Sequence, residues 1–242
     1  MRRLAMAVEY DGTDFHGFAA QPDLRTVQGT LTDALERLLG CSVEVTGAGR
    51  TDAGVHAKGQ VVDFATEASI PAKRVARAIN RLLPVDLQAI KAWEVAEDFS
   101  ARFSAKSRIY RYRLYTGRRA SVWKARYACW FPYEVDAAMA QTAAEMLVGE
   151  KDFRAFCADW SERENFVREI YRAEVRRKGS FIDLELEGTA FMKGMVRLIA
   201  GAVFLVGRGS RSLDWMGELV ANSRRASLMM PPQGLCLMKV RY

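Results

Sequence analysis

Histidine is scarce in this sequence, and its cysteines are never paired at short spacing. The two histidines, His16 and His56, are forty residues apart, and no Cys-x-x-Cys pair occurs. A local metal site of His and Cys ligands is therefore not expected. Because no secretory signal precedes them, the cysteines are expected to be reduced, buried residues of a cytoplasmic protein: Cys41, Cys129, Cys157 and Cys236.

Long apolar runs and nucleotide-binding glycine motifs are also missing. The most apolar run, Leu198 to Val206, is too short to cross a membrane. No GxxxxGK[ST] pattern and no GxGxxG after a strand occurs, so nucleotide cofactors are not expected. The 242 residues carry 36 basic and 29 acidic side chains, a net charge of +7. This excess is compatible with a polyanionic partner, although many ordinary proteins share it.

A glycine-rich stretch between Gly47 and Gly54 contains Arg50 and Asp52. Glycine at this density marks backbone that turns tightly or approaches a partner closely. Strand-like segments flank the stretch, at residues 41–46 and from residue 60 onward. An aspartate in such a loop most often caps a turn through its own backbone. A loop between two strands is also a usual place for catalysis, and the loop alone does not decide between these interpretations.

Hydrophobic periodicity, capping residues and turn residues predict the order of the elements along the chain. Helices are expected between Thr26 and Gly40, between Pro71 and Pro84, and at 136–147, 192–206 and 213–221. Strands are expected at 3–9, 41–46, 60–65, 87–95, 107–115, 170–177, 181–187 and 235–240. Residues 153–165 are expected to form a loop. Residues 118–133 are expected to be a connection docked by its aromatic side chains: Trp123, Tyr127, Trp130 and Phe131.

This order predicts an α+β protein of two similarly built halves, with mainly antiparallel sheets backed by helices. The first half, residues 1–117, would carry the glycine-rich loop. The second half, residues 118–242, would complete a catalytic cleft between the halves.

Three basic features are open to two interpretations each. The cations of the second helix (Lys73, Arg74, Arg77 and Arg81) fit a solvated face or a phosphate-contacting face. The strand at 107–115 interleaves arginines and tyrosines, which suits base stacking or a plain sheet with extended arginines. Arg197 lies in an apolar helix, where it would either pair with a carboxylate or extend to the surface.

Several segments, in the correct order, resemble motifs of the TruA family of tRNA pseudouridine synthases. The segment Gly49–Ala57, Gly-Arg-Thr-Asp-Ala-Gly-Val-His-Ala, is similar to the catalytic motif of that family. The other similar segments are at 10–17, 25–29, 101–112, 149–153, 195–197, 206–209 and 231–235. The resemblance thus extends along the whole chain and implies the pseudouridine synthase fold.

The resemblance also implies an activity and its residues. Enzymes of this family convert uridine to pseudouridine at positions 38, 39 and 40 of the tRNA anticodon stem-loop, as homodimers without metal or cofactor. Asp52 would be the catalytic carboxylate, Tyr110 would stack on the target uracil, and Arg197 would pair with Asp52. Arg50 and Arg108 would contact RNA. Whether Asp52 attacks C1′, attacks C6 or removes a sugar proton is left open.

Two rival interpretations are an RNA-binding chaperone without chemistry and a basic structural protein with a chance motif. A pure binder has no need of a buried Asp–Arg pair, and the order of the motifs disfavours chance. One departure concerns substrate contacts. Phe18-Ala19-Ala20-Gln21 stands where the family commonly has Trp-Gln, which puts the RNA contacts of this opening loop in question.

Overall fold

The computed structural model describes residues 1–159 and 165–242. Contacts group the chain into two compact units. Unit 1 comprises Met1–Lys106 with Leu237–Tyr242, and unit 2 comprises Ser107–Cys236. The division into halves at residues 117 and 118 stays a prediction. Within the described residues, no helix combines the length and apolarity needed to cross a bilayer.

Unit 1 is built on a strand that pairs on both sides. Its elements are β1 (Arg2–Tyr10), α1 (Val27–Leu39), β2 (Thr46–Gly47), β3 (His56–Thr66), α2 (Ala72–Ile79) and β4 (Leu87–Val95). Strand β1 pairs antiparallel with β3 and with β4, and residues 4–8 are buried. Helix α1 begins where the Thr26 hydroxyl accepts the Gly29 N–H and ends at Gly40, whose φ of 73° is left-handed.

The strand predicted at 41–46 is wrong for most of its length, because only Thr46 and Gly47 pair in a sheet. Side chains of α1 bind this backbone instead. Glu36 accepts the N–H of Val43, and Gln28 donates to the carbonyl of Val45. In contrast, β3 is longer than predicted and begins at His56, inside the segment Gly49–Ala57 that resembles the catalytic motif.

Unit 2 begins with β5 (Ser107–Tyr115) and contains a second antiparallel arrangement. The elements that follow are α3 (Val122–Ala125), β6 (Cys129–Trp130), α4 (Ala137–Glu145), β7 (Gly149–Asp152), β8 (Val167–Lys178), β9 (Phe181–Gly188), α5 (Met195–Gly207) and α6 (Leu213–Val220). The antiparallel order is β5-β9-β8-β7, while β6 pairs with β5 in parallel. Helix α5 is buried along most of its length, which agrees with its apolar sequence.

Other predictions for unit 2 have mixed outcomes. The burial of β5 alternates from Tyr110 onward, with Tyr110, Tyr112 and Leu114 buried. Helix α5 begins three residues later than predicted, after a left-handed Gly194. Part of the predicted loop at 153–165 lies outside the described residues, and its described part contains a short 3₁₀ turn.

The predicted burial of several side chains is partly wrong. Trp123 does not dock the connection, because it is 91% exposed. Tyr127 is 52% exposed, whereas Phe131 is buried. Cys41 is exposed, while the other three cysteines are buried as expected. Aromatic and thiol groups therefore did not all follow their average burial preference.

The final strand, β10 (Leu235–Arg241), follows unit 2 in the chain and lies beside β3 in the sheet. Its residues from Leu237 onward belong to unit 1. Hydrogen bonds from Tyr242 Oη to the Ala101 carbonyl and from Lys106 N–H to the Arg241 carbonyl fix this end. The fold is thus α+β, with mainly antiparallel strands backed by helices, as the sequence predicts.

Candidate active site

The loop that carries Asp52 comprises residues 48–55, between β2 and β3. Its base is fixed by Gln60, a fully buried residue whose Nε2 donates to the Gly49 carbonyl at 2.7 Å. At its tip the Val55 N–H donates to the Asp52 carbonyl at 3.1 Å and closes a tight turn. The backbone on both sides of Asp52 is therefore held by hydrogen bonds within unit 1.

Side chains along this loop alternate between the interior and the solvent. Arg50 is exposed, Thr51 is buried and Asp52 is half-buried. The Thr51 hydroxyl shares a buried hydrogen bond of 2.8 Å with the hydroxyl of Tyr10. Because Thr51 is anchored in this way, the loop presents Arg50 outward and keeps Asp52 at the boundary between protein and solvent.

The opening segment, residues 12–18, holds the loop from the other side. The Gly12 N–H donates to Nδ1 of the buried His56 at 3.0 Å, and the Phe18 N–H donates to the Thr51 carbonyl at 3.0 Å. The same Nδ1 lies 3.2 Å from a carboxylate oxygen of Asp11. The two segments that resemble the opening and catalytic motifs are thus parts of one hydrogen-bonded structure.

Close approach of backbones explains why glycine is required at residue 12. A Cβ atom there would lie 2.0 Å from the Val55 carbonyl oxygen, far inside normal contact distance. The ring of Phe18 fills the space that a side chain at Gly47 would occupy, and Phe18 is 2% exposed. The difference from the family at Phe18 therefore concerns the support of the loop that carries Asp52.

In unit 2, Tyr110 lies on the buried face of β5 and is 7% exposed. Its ring meets that of Phe191 edge-on, with 5.2 Å between centroids and 79° between planes. Edge-to-face contacts fix the orientation of both rings. Phe191 is half-buried in the segment that leads to α5. Sequence reasoning missed Phe191, and an aromatic between a strand and a helix was its only signal.

Arg197 lies in the first turn of α5 and is half-buried. Its Nε donates to the Met230 carbonyl at 2.7 Å, and the Met230 N–H donates back to the Arg197 carbonyl at 3.3 Å. This reciprocal pair fixes the guanidinium plane with one of its five N–H donors. A guanidinium is suited to bind an oxyanion such as a carboxylate.

Tyr112 binds the carbonyl of Pro231, the residue that follows Met230. Its Oη donates to the Pro231 carbonyl at 2.7 Å. Burial raises the pKa of Tyr112 well above its usual range, the adjacent Cys129 thiol raises it further, and the Arg197 guanidinium opposes the shift. The phenol therefore stays protonated and donates at every physiological pH.

Several arginines of β5 bind protein groups. Arg108 is 8% exposed, and its Nη1 donates to the Thr189 carbonyl at 2.6 Å. Arg113 forms two hydrogen bonds of 2.6 Å with Asp183, and these bonds raise the pKa of Arg113. For Arg113 this favours the plain-sheet interpretation, whereas an RNA contact of Arg108 stays a prediction.

Helix α2 exposes Lys73, Arg74 and Arg77 as predicted, and Arg81 is exposed beyond the end of the helix at Ile79. Between α2 and β4 lies a cavity of about 330 Å³, lined in part by Lys73, Arg77 and Lys91. The Asn80 side chain binds both the N–H and the carbonyl of Ala89, which fixes the helix on the strand. Three cations at one concave surface favour the phosphate-contacting interpretation of this helix.

Comparison with known proteins identifies the family of this chain. The sequence model of the tRNA pseudouridine synthase family matches residues 6–104 and 143–242. The chain therefore belongs to the tRNA pseudouridine synthase family. Asp52, Arg50 and Arg197 lie within the matched ranges, and Arg108 and Tyr110 lie between them.

Similar curated proteins carry a more particular name, tRNA pseudouridine synthase A. The protein from Bacillus pumilus is 41% identical over 244 residues, which cover 99% of each chain. The proteins from Geobacillus kaustophilus and Pseudothermotoga lettingae are each 40% identical over all of this chain and cover 95% and 100% of the relatives. The likeness is therefore one of whole chains.

Proposed function

We propose that this protein converts uridine to pseudouridine at positions 38, 39 and 40 of the tRNA anticodon stem-loop. The observation that carries this proposal is Asp52, a half-buried carboxylate on a loop fixed by Gln60, Tyr10 and the opening segment. Family membership and the relatives named tRNA pseudouridine synthase A support the reaction and the substrate class.

The reaction is an isomerisation, so its atoms balance within the uridine. The N1–C1′ bond breaks and a C5–C1′ bond forms. The hydrogen on C5 is released as a proton, and N1 takes one up. Positive charge develops at the sugar as the glycosidic bond breaks, and a carboxylate such as Asp52 can stabilise or capture it.

The proposed partners of Asp52 are Tyr110 and Arg197. A guanidinium next to a carboxylate favours its charged form and opposes the effect of desolvation. We propose this role for Arg197, whose orientation is fixed by Met230. Tyr110, oriented by Phe191, would hold the extruded uracil by stacking.

The remaining proposed contacts with RNA are made by basic side chains. Arg50 is exposed beside Asp52 and would enter the RNA stem. The α2 cations would bind phosphates, and Arg108 would support the substrate site. We propose a cytoplasmic homodimer that requires no metal or cofactor. Its substrate would be the anticodon arm of tRNA. Extruding one base from this arm costs a few kcal/mol.

The test uses unmodified tRNA transcripts that carry tritium on C5 of uridine. The wild-type protein is expected to release tritium and to leave pseudouridine at positions 38–40, as read by base-resolution mapping. Asp52→Asn should abolish release while largely retaining tRNA affinity, which rests on phosphate contacts. Glu44→Gln, a change at an exposed carboxylate shortly before the loop, is the matched control.

Two results would count against the proposal. Wild-type protein that binds tRNA but releases no tritium from any transcript with an anticodon-arm uridine would favour the chaperone interpretation. Asp52→Asn with wild-type turnover would remove Asp52 from the chemistry.

A further inference from the structure

Residues 116–128 form a compact loop in unit 2, here named the Trp123 loop. The chain leaves β5 at Tyr115 and returns in β6, where Trp130 pairs with Tyr115 in a parallel register. The Trp130 Nε1–H donates to the Gly117 carbonyl at 3.0 Å and joins the two ends. Loops of this length with adjoining ends are often functional.

The loop has an internal anchor that holds it in one arrangement. Lys124 Nζ lies 4.2 Å from the centre of the Tyr115 ring and 5.3 Å from that of Phe181. The Ala125 N–H donates to the Ser121 carbonyl at 2.8 Å and forms one helical turn. Lys124 is thus held against the sheet by cation–π contacts.

The residues next to this anchor are exposed to an unusual degree. Trp123 is 91% exposed and Val122 is 86% exposed. Large aromatic side chains are highly buried on average, so an exposed and anchored tryptophan indicates a binding surface. A flat aromatic face of this kind suits stacking by a planar group.

The charge of the Trp123 loop indicates which kind of partner it binds. Residues 116–128 contain four arginines and lysines and no aspartate or glutamate. Arg118 and Arg119 are exposed within the loop. In a two-fold contact between copies of the loop the same cations would face each other, which costs free energy. A nucleic acid instead supplies both phosphates and stackable bases.

We propose that the Trp123 loop is a tRNA-binding surface that takes an unpaired base on Trp123 and phosphates on Arg118 and Arg119. The inference rests on the proposed function for the identity of the RNA. The loop lies between the two ranges that match the family model, so the match assigns it no role. Its contribution is to substrate affinity, and the chemistry at the target uridine is unaffected.

Three substitutions of Trp123 separate stacking from general apolar contact. Trp123→Ala should raise KM for tRNA about tenfold, in the range of one stacked base, and leave kcat unchanged. Trp123→Phe should restore most of the affinity because it retains an aromatic face, whereas Trp123→Leu should behave like alanine. Tyr171→Ala, at an exposed aromatic on β8 in the same unit, should change KM little.

The KM of Trp123→Leu, light scattering and the salt dependence of tRNA binding each have an outcome that would overturn the inference. Trp123→Leu with wild-type KM would rule out stacking. A fall in the mass of Trp123→Ala by light scattering, from that of the wild type to a monomer, would assign the loop to contact between copies. Replacing both Arg118 and Arg119 with Gln should reduce the salt dependence of tRNA binding, and an unchanged slope would exclude phosphate contact.

Experiments can distinguish failure of the proposed function from failure of the loop proposal. tRNA binding is measured directly by filter binding, with the wild-type protein and each Trp123 variant under the same conditions. If wild-type protein releases tritium and all Trp123 variants bind tRNA equally, only the loop proposal fails. If wild-type protein is inactive but Trp123→Ala loses tRNA binding, the loop proposal stands and the enzyme assignment fails.

Discussion

Gly12→Ala tests whether the opening segment positions Asp52. The added Cβ atom would lie 2.0 Å from the Val55 oxygen, while ordinary contacts begin at 3.4 Å. The backbones must therefore separate by roughly the difference between these distances, about 1.4 Å. Val55 closes the turn at Asp52, so this shift would be transmitted to the carboxylate.

The expected loss of activity is large compared with the loss of stability. A misplacement of about 1 Å at a reacting group can cost about 100-fold in rate. Overpacking a well-packed site typically costs about 1–3 kcal/mol of unfolding free energy. We therefore expect kcat to fall about 100-fold in a protein that still folds. Tritium release at saturating tRNA measures kcat, and thermal unfolding followed by circular dichroism measures stability.

Gly179→Ala supplies the matched control. Gly179 lies in the turn between β8 and β9, with a φ of +58° and open space around the added Cβ. Left-handed backbone strain should cost about 1–2 kcal/mol there without changing kcat. If Gly12→Ala retains wild-type kcat, or if both variants lose kcat in proportion to their stability, the positioning argument is refuted.

Three further predictions concern the uracil contact, acid stability and the basic helix. Tyr110→Phe should retain tRNA affinity, and a loss of kcat beyond tenfold would assign chemistry to the hydroxyl. Burial acts to raise the pKa of Asp152, but hydrogen bonds and charge from Arg154 outweigh it and lower the pKa. Its stabilisation is therefore present above about pH 4 and lost as pH falls through the lowered pKa, so Asp152→Asn should flatten the acid limb of a Tm–pH profile. The double replacement of Lys73 and Arg77 with Gln should reduce the slope of log affinity against log salt by about 0.9 per phosphate contact removed, with kcat unchanged.

Much of the fold could be predicted because local signals agreed with tertiary packing. The β5 pattern assigns Tyr110, Tyr112 and Leu114 to the buried face, and the capping residues of α1 mark its ends. The strand at 41–46 could not be excluded from sequence, because its backbone is bound by side chains of α1. Trp123 was misjudged because composition gives the average burial of a residue type, and this tryptophan departs from it.

The candidate site was predictable to a similar extent. The motif around Asp52 gave the family, and the element pattern placed Arg197 on an apolar helix. The supports of these residues were not visible, because they join positions far apart in sequence. Gly12 with His56, and Tyr10 with Thr51, are pairs separated by 44 and 41 residues. Such long-range hydrogen bonds produce no periodic pattern in the sequence, so they could not be predicted from it.

The path of β10 has a consequence for how the protein is made. The strand beside β3 is synthesised only after all of unit 2, although most of it belongs to unit 1. On the ribosome, the edge of β3 therefore stays uncovered while residues 67–234 are synthesised. Exposed edges of this kind are sites of aggregation. Completion of unit 1 is thus a late event in biosynthesis, and a nascent chain that stops before residue 235 would expose the edge next to the Asp52 loop.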